Sequence, residues 1–273
     1  MLWWQLLPRR YLVLRPVVSV LAFVLGLLAP WVIPATEAVY ATPVIIVLFT
    51  LGCWWVTRNW GVTIFCLVGL GLVWNMGWWF QGMQTLALVI LATVIVLVLG
   101  VPLGVAAAVW RPFYRVITPI LDFMQTLPAF VYLIPAIPFF GLGETAALFA
   151  TVIFAMPPAI RLTTLGIQQV PEELVEAADA FGSTRMQRLI KLELPTAMPS
   201  VQAGTNQAVM LSLSMVVIAA MIGAPGLGDV VWTAIQRLNV AQGFEGGISI
   251  VILAIILDRV LRSAGQQAQP GAS

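Results

Sequence analysis

Runs of about 20 apolar residues recur along nearly the whole chain, and a helix of that length crosses the hydrocarbon core of a bilayer. Eight such stretches can be marked, at roughly 15–34, 40–57, 60–78, 84–109, 117–140, 145–164, 202–223 and 246–263. In lipid no water satisfies backbone N–H and C=O groups, so these stretches are expected as helices, and the fold class as an all-α polytopic membrane protein. Charged residues make up 9% of the chain against 61% hydrophobic, where a water-soluble domain carries about a quarter charged. No soluble domain of any size can be cut from it. Arg9, Arg10 and Arg15 precede the apolar run 16–33 much as in a secretory signal. That run is long enough to span and leads into further spans, so it reads as a first transmembrane helix.

Orientation follows from the basic residues, which concentrate on the cytoplasmic side of membrane proteins. With the N-terminus inside, Arg9, Arg10, Arg15, Arg58, Arg111, Arg115, Arg161, Arg185, Arg188, Lys191, Arg259 and Arg262 all fall in cytoplasmic loops, and only Arg237 falls outside. That bias supports an even number of spans with both termini cytoplasmic, and it keeps the short second and third spans separate around Arg58. The tryptophans, among them Trp3, Trp4, Trp31, Trp78, Trp79 and Trp110, lie mostly near span ends, as in an interfacial aromatic belt. Gly100 and Gly104 stand one helical turn apart, which permits close approach of a neighbouring helix. Pro102, Pro119, Pro128, Pro135 and Pro138 interrupt spans.

Several function classes are excluded by what is missing. There is no histidine, the commonest metal ligand and general base. Cys53 and Cys66 sit in apolar runs and read as packing residues, not as a disulfide or metal site. The single lysine, Lys191, follows Ile190, so the Gly-Lys pair of a phosphate-binding loop is absent. Thirteen basic residues spread along the chain form no patch for nucleic acid.

One stretch breaks the apolar pattern. About 38 residues separate the sixth and seventh spans and hold five of the eleven acidic residues. Pro171 suits a first helical position, and Glu172 and Glu173 place negative charge at the positive end of the helix dipole. Gly182 offers a left-handed cap to close that helix. Thr184 and Gln187 form a capping box for a second helix, which Pro195 is expected to stop. Leu174, Ala178 and Phe181 make an apolar stripe on the first helix; Met186, Leu189 and Ile190 do so on the second. Such a helix can lie on lipid or dock in a groove. A lipid-surface helix normally carries a basic polar face, and the acidic face here favours a protein partner.

Glu176-Ala177-Ala178, followed after three residues by Gly182 and then by Leu192, Leu194 and Pro195, resembles the EAA loop of ATP-binding-cassette importer permeases; Leu192 stands where the family pattern has Ile. The stretches 122–133 (DFMQTLPAFVYL), 157–163 (PPAIRLT), 211–219 (LSLSMVVIA) and 248–259 (ISIVILAIILDR) are similar to glycine betaine/proline betaine permeases, and the likeness runs from about Thr85 to Arg262. The resemblance implies a type I importer core of five helices in 83–264, with its coupling loop at 168–195. Three accessory helices would precede it in 1–82, and 265–273 would be a disordered tail. It implies a bacterial inner-membrane protein that works as two permease copies with two ATPase subunits, which hold the ATP and magnesium, and an external solute-binding protein. On this resemblance the chain is expected to need no cofactor of its own and not to be an enzyme. Glu173, Leu174, Glu176, Ala177, Ala178, Phe181, Gly182 and Arg185 are implied as the ATPase-coupling surface. The outer segment near Asp229, Arg237 and Glu245 is implied as the binding-protein contact.

For the translocation path, the polar and soft residues of otherwise apolar spans are the candidates: Met124, Gln125, Thr126, Asn206, Met210, Ser214 and Met215. Interhelical hydrogen bonding is the alternative role for Asn206. A charge-poor path suits a net-neutral solute such as a betaine, without choosing among betaines, choline and carnitine. The main alternative is a secondary transporter or channel for a small neutral solute. Ion coupling usually leaves ionisable groups deep in the spans, whereas Asp122, Arg161, Asp258 and Arg259 fall near predicted span ends, with Asp122 and Arg161 a candidate pair. An intramembrane enzyme would need a nucleophile–base pair or metal site that these residues do not supply. The orientation is testable with reporter fusions: alkaline phosphatase inserted within 168–195 should be inactive and within 223–245 active, and the reverse pattern would overturn the assigned topology.

Overall fold

The computed structural model describes the backbone of residues 35–267 and the side chains of residues 42–263. The expected first span, its flanking arginines and the last residues of the polar tail lie outside the described residues. Among the described residues eleven α-helices follow one another: α1 (Ala35–Thr57), α2 (Trp60–Asn75), α3 (Trp79–Val109), α4 (Arg111–Thr126), α5 (Leu133–Phe140), α6 (Glu144–Gln168), α7 (Glu172–Ala180), α8 (Arg185–Arg188), α9 (Leu194–Ala220), α10 (Leu227–Gln236) and α11 (Val240–Gln267). No strand occurs among the described residues. By length and composition α3, α6, the continuous helix Arg185–Ala220 and α11 can each cross a membrane; α1 and α2 contribute shorter apolar stretches, Thr42–Thr57 and Trp60–Asn75.

The expected span 117–140 is not one helix. The chain bends by 112° between Arg111–Thr126 and Ala129–Phe140. Pro128 is the cause: its ring excludes helical backbone from the residue before it, and Leu127 is accordingly extended at φ −73°, ψ 133°. A short 3₁₀ turn, Ala129–Tyr132, leads into α5. The Tyr132 hydroxyl donates back across the bend to the Met124 carbonyl, satisfying a group the broken helix frees.

Two compact units are present. Among the described residues one comprises those up to Ala87 with those from Val230 onward; the other is Leu88–Asp229. In the first, α11 packs on α1 and α2, the helices ascribed to an accessory segment. Gly69 lies so close to α11 that a Cβ would meet Ile252 at 2.6 Å. The Trp78 indole donates to Glu245 Oε2 at 3.1 Å, and Ser249 Oγ donates to the Glu245 carbonyl at 2.8 Å. Cys53 and Cys66 are buried and unbridged. Helix α11 continues to Gln267, two residues beyond the expected start of the polar tail at Gly265.

In the second unit α6 and α9 form the most extensive helix pair. The contact is made by small residues: a Cβ at Gly166 would meet Ser200 at 2.6 Å, and one at Gly204 would meet the Ala159 Cα and the Pro158 carbonyl at 3.3 Å. Lipid tails are as apolar as leucine, so helices associate in a membrane through close packing more than through hydrophobic exclusion. Helix α3 approaches α6 in the same way. A Cβ at Gly104 would lie 2.6 Å from Thr163 and 2.8 Å from the Ile160 carbonyl, and Thr164 Oγ1 reaches the carbonyls of Gly104 and Ile160 at 2.9 Å each. Around these contacts sit Ala92, Val96, Val152, Ala155, Ala159 and Ala208, all alanine or valine.

These distances separate two glycines of similar sequence context. Gly104→Val should lower thermal stability in detergent by roughly 1–3 kcal/mol, the usual range for overpacking a close contact, because backbone as well as side chain must move. Gly71→Ala, with no atom within 4 Å, should be neutral or slightly stabilising.

Candidate functional site

The segment between α6 and α9 is more ordered and shorter than its sequence suggests. Helix α6 runs to Gln168 and a continuous helix restarts at Arg185, so only 169–171 and 181–184 are non-helical around α7. Pro171 is the capping residue before α7, not its first helical residue, and Glu172 and Glu173 occupy the first turn. The C-terminal end closes as the sequence requires: Gly182 has φ +76°, its N–H bonds the Asp179 carbonyl at 2.9 Å, and the Ser183 N–H bonds the Ala178 carbonyl at 3.1 Å. This is a Schellman closure, and it needs a residue free to adopt the left-handed conformation. The capping box forms too. Thr184 Oγ1 accepts from the Gln187 N–H at 3.3 Å, and Gln187 Oε1 accepts from the Thr184 N–H at 2.9 Å.

Pro195 does not stop the second helix. Helix α8 passes through a π-helical turn, Leu189–Glu193, directly into α9, where Pro195 lies in the first turn. A proline is tolerated there because it lacks a backbone N–H and the wider π turn has already interrupted the regular i→i−4 bonding that an N–H at this position would continue. Arg188 stitches this junction: Nη1 donates to both Asp179 oxygens, at 2.7 and 2.9 Å, and Nε donates to Glu193 Oε1 at 2.8 Å.

No residue of α7 or α8 is buried. Leu174, Met186 and Ile190 are exposed, and Phe181 is 91% exposed. Apolar side chains left bare on a charged, capped helical loop mark an interaction surface, for protein or for membrane. Glu173, Glu176, Ala177 and Arg185 are also exposed, while Ala178 is half-covered.

On the membrane-crossing part of the unit, Asp122 of α4 and Arg161 of α6 form the expected ion pair. Arg161 lines a cavity of about 210 Å³ together with Tyr114, Thr118, Thr164 and Gln168. Along α9, Ala203, Gln207, Met210 and Ser214 are exposed at helical spacing and share one face.

The residues 100–267 match the family described as binding-protein-dependent transport system inner membrane component. The chain belongs to that family. It is the permease subunit of an ATP-binding-cassette importer. It is 49% identical over 256 residues to the glycine betaine/carnitine transport permease protein GbuB of Listeria monocytogenes, covering 93% of this chain and 86% of the relative. It is 52% identical over 217 residues to the glycine betaine transport system permease protein OpuAB of Bacillus subtilis, covering 80% and 77%. The fold is similar to that of the MetNI methionine ABC transporter in inward-facing conformations, with a TM-score of 0.59 at 25% identity over 68% of this chain and 91% of that one.

Within the permease the path candidates separate. Gln125 and Thr126 are exposed at the end of α4, Thr126 Oγ1 donating to the Phe123 carbonyl at 2.8 Å, and Met124 is half-buried. Met210 and Ser214 lie on the exposed face of α9, and Ser214 Oγ donates to the Met210 carbonyl at 2.9 Å. Met215 is not on that face. It is fully buried in a cluster with Tyr132, Leu133, Ala146, Ala150 and Ala219, because one residue along a helix is a rotation of about 100°. Asn206 is half-buried at the edge of the face, and the central amide is Gln207, which sequence reasoning missed. Counting in steps of three and four from Ser214 through Met210 would have found it. Of the outer candidates, Asp229 and Arg237 are exposed, whereas Glu245 is half-buried and turned onto Trp78.

The loop's order should depend on its caps. Gly182→Ala and Thr184→Ala should each destabilise it locally by about 1 kcal/mol. Hydrogen exchange of amides 172–188 should then quicken roughly fivefold while that of α6 and α9 is unchanged.

Proposed function

We propose that the permease carries glycine betaine or a related quaternary amine inward by alternating access. In this reading two copies of the chain work with two ATPase subunits and an extracytoplasmic solute-binding protein. The ATPases hold the ATP and magnesium, and both chain termini face the cytoplasm. The exposed apolar face of the capped α7–α8 loop carries the reading. Leu174, Phe181 and Met186 leave an apolar surface beside an acidic helix, suited to a groove of basic or mixed character on the ATPase. Glu173, Glu176, Ala177, Ala178, Gly182 and Arg185 complete that surface, the alanines allowing close approach. The names of GbuB and OpuAB support the substrate class.

The path runs along the face of α9 that bears Gln207, Met210 and Ser214, with Gln125 and Thr126 near one end. Amide and hydroxyl groups exposed to hydrocarbon are costly, which favours a water-filled path or a second copy over lipid on this side. The face is uncharged, as a zwitterionic solute without net charge requires. Asp229 and Arg237 are offered as contacts for the binding protein; Glu245 has the lesser claim because it already holds Trp78.

The test is solute-stimulated ATP hydrolysis and uptake in liposomes containing the permease with its ATPase and binding protein. Glu176→Arg and Gly182→Trp should insert normally yet lose complex assembly and transport. Uptake by the permease alone without ATP, or wild-type behaviour of both variants, would favour a secondary transporter or channel.

A further inference from the structure

The two caps fix the ends of α7 and α8 locally, but neither sets the angle between the helices. Only Phe181–Thr184 joins them covalently, and Gly182 in that linker is the residue least restricted in backbone conformation. The angle is held by Arg188. Its guanidinium grips both oxygens of Asp179, in the last turn of α7, and one oxygen of Glu193, the last residue of the π turn. Exposed single ion pairs contribute little. This one differs in geometry: three bonds of 2.7–2.9 Å from one planar group, with the Arg188 and Glu193 side chains only 23% and 13% exposed. A rigid fork with three bonds fixes direction as well as distance.

The clamp spans the π turn: it reaches from Arg188, just before the turn, to Glu193, its last residue, and α9 follows directly. A π turn inside an α-helix is a site where bonding can shift register, and such turns occur frequently at functional sites. Beyond it the helix is unbroken to Ala220 and carries Gln207, Met210 and Ser214.

We propose that Arg188 is a positioning residue that makes α7 and α8 one lever, and that the π turn Leu189–Glu193 is the joint through which the lever's displacement enters α9. The proposal rests on the coupling reading above and adds the route from the loop to the path. A push on α7 passes through Asp179 to Arg188, then through Glu193 to the root of α9, and so to the Gln207 face without crossing a flexible linker.

The experiment measures glycine betaine uptake and ATP hydrolysis in the same liposomes, with the full complex, and compares solute moved per ATP. Arg188→Gln and Asp179→Asn should each lower that ratio at least about fivefold, the lower end of typical coupling factors. Arg188→Lys, which keeps the charge and loses the fork, should fall between them and wild type. Asp179 is half-exposed, so its variant keeps the test clear of a folding defect. If uptake and hydrolysis fall in equal proportion, Arg188 only supports the loop's shape and the lever is overturned. If both variants keep the wild-type ratio while Glu176→Arg abolishes transport, the lever is overturned and the coupling reading stands. If Glu176→Arg is also without effect, the coupling reading falls and the lever with it.

Discussion

The contact on which the rest of the permease half depends is the near-backbone approach of α6 and α9. Gly166 faces Ser200, and Gly204 faces Ala159 and the Pro158 carbonyl, at distances no larger side chain would permit. Because a bilayer offers little hydrophobic drive between helices, this proximity supplies dispersion contact over a long seam. It also determines where the loop sits. Helix α6 leads into α7 after three residues, and α9 is the direct continuation of α8. Both roots of the loop are therefore planted on one rigid pair, and the loop is a braced extension of the bundle.

That bracing explains how the loop can keep apolar side chains exposed and still hold a shape. Its order comes from a Schellman closure, a capping box and the Arg188 clamp, all satisfied within the segment. Leu174, Phe181 and Met186 are left free of internal packing. On α9 the consequence is different: the face turned from α6 bears Gln207, Met210 and Ser214, and Met215 on another side is locked into the alanine-rich cluster around Tyr132. One helix thus presents a packed side and a polar, uncharged side. The packed side holds the bundle together, and the polar side is the proposed path.

The local chemistry of the sequence was readable where short-range geometry decides it. The left-handed Gly182, the Thr184–Gln187 box and the Asp122–Arg161 pair all appear as expected. Three features were not readable. Pro128 was counted as one more interruption of a span, yet it turns the chain by 112°, since Tyr132 is placed to satisfy the freed Met124 carbonyl. Pro195 was read as a stop, and the π turn before it removed the clash that would have made it one. Glu245 was read with Asp229 and Arg237 as a binding-protein contact from topology and family resemblance, and nothing along the chain indicated that the Trp78 indole, 167 residues away, donates to its carboxylate.

By itself, the sequence determined that the chain is helical and membrane-bound, that its polar loop carries two capped helices, and that it belongs with importer permeases. Apolar length, caps and a spaced motif are properties of neighbouring residues, set by backbone hydrogen bonding that must close locally in lipid. Tertiary structure decided which side of α9 is packed and which is bare, how sharply the chain bends at Pro128, and how α7 is tied to α9 through Arg188. Those outcomes depend on which distant groups arrive within bonding or contact distance, and no spacing along the chain encodes that arrival.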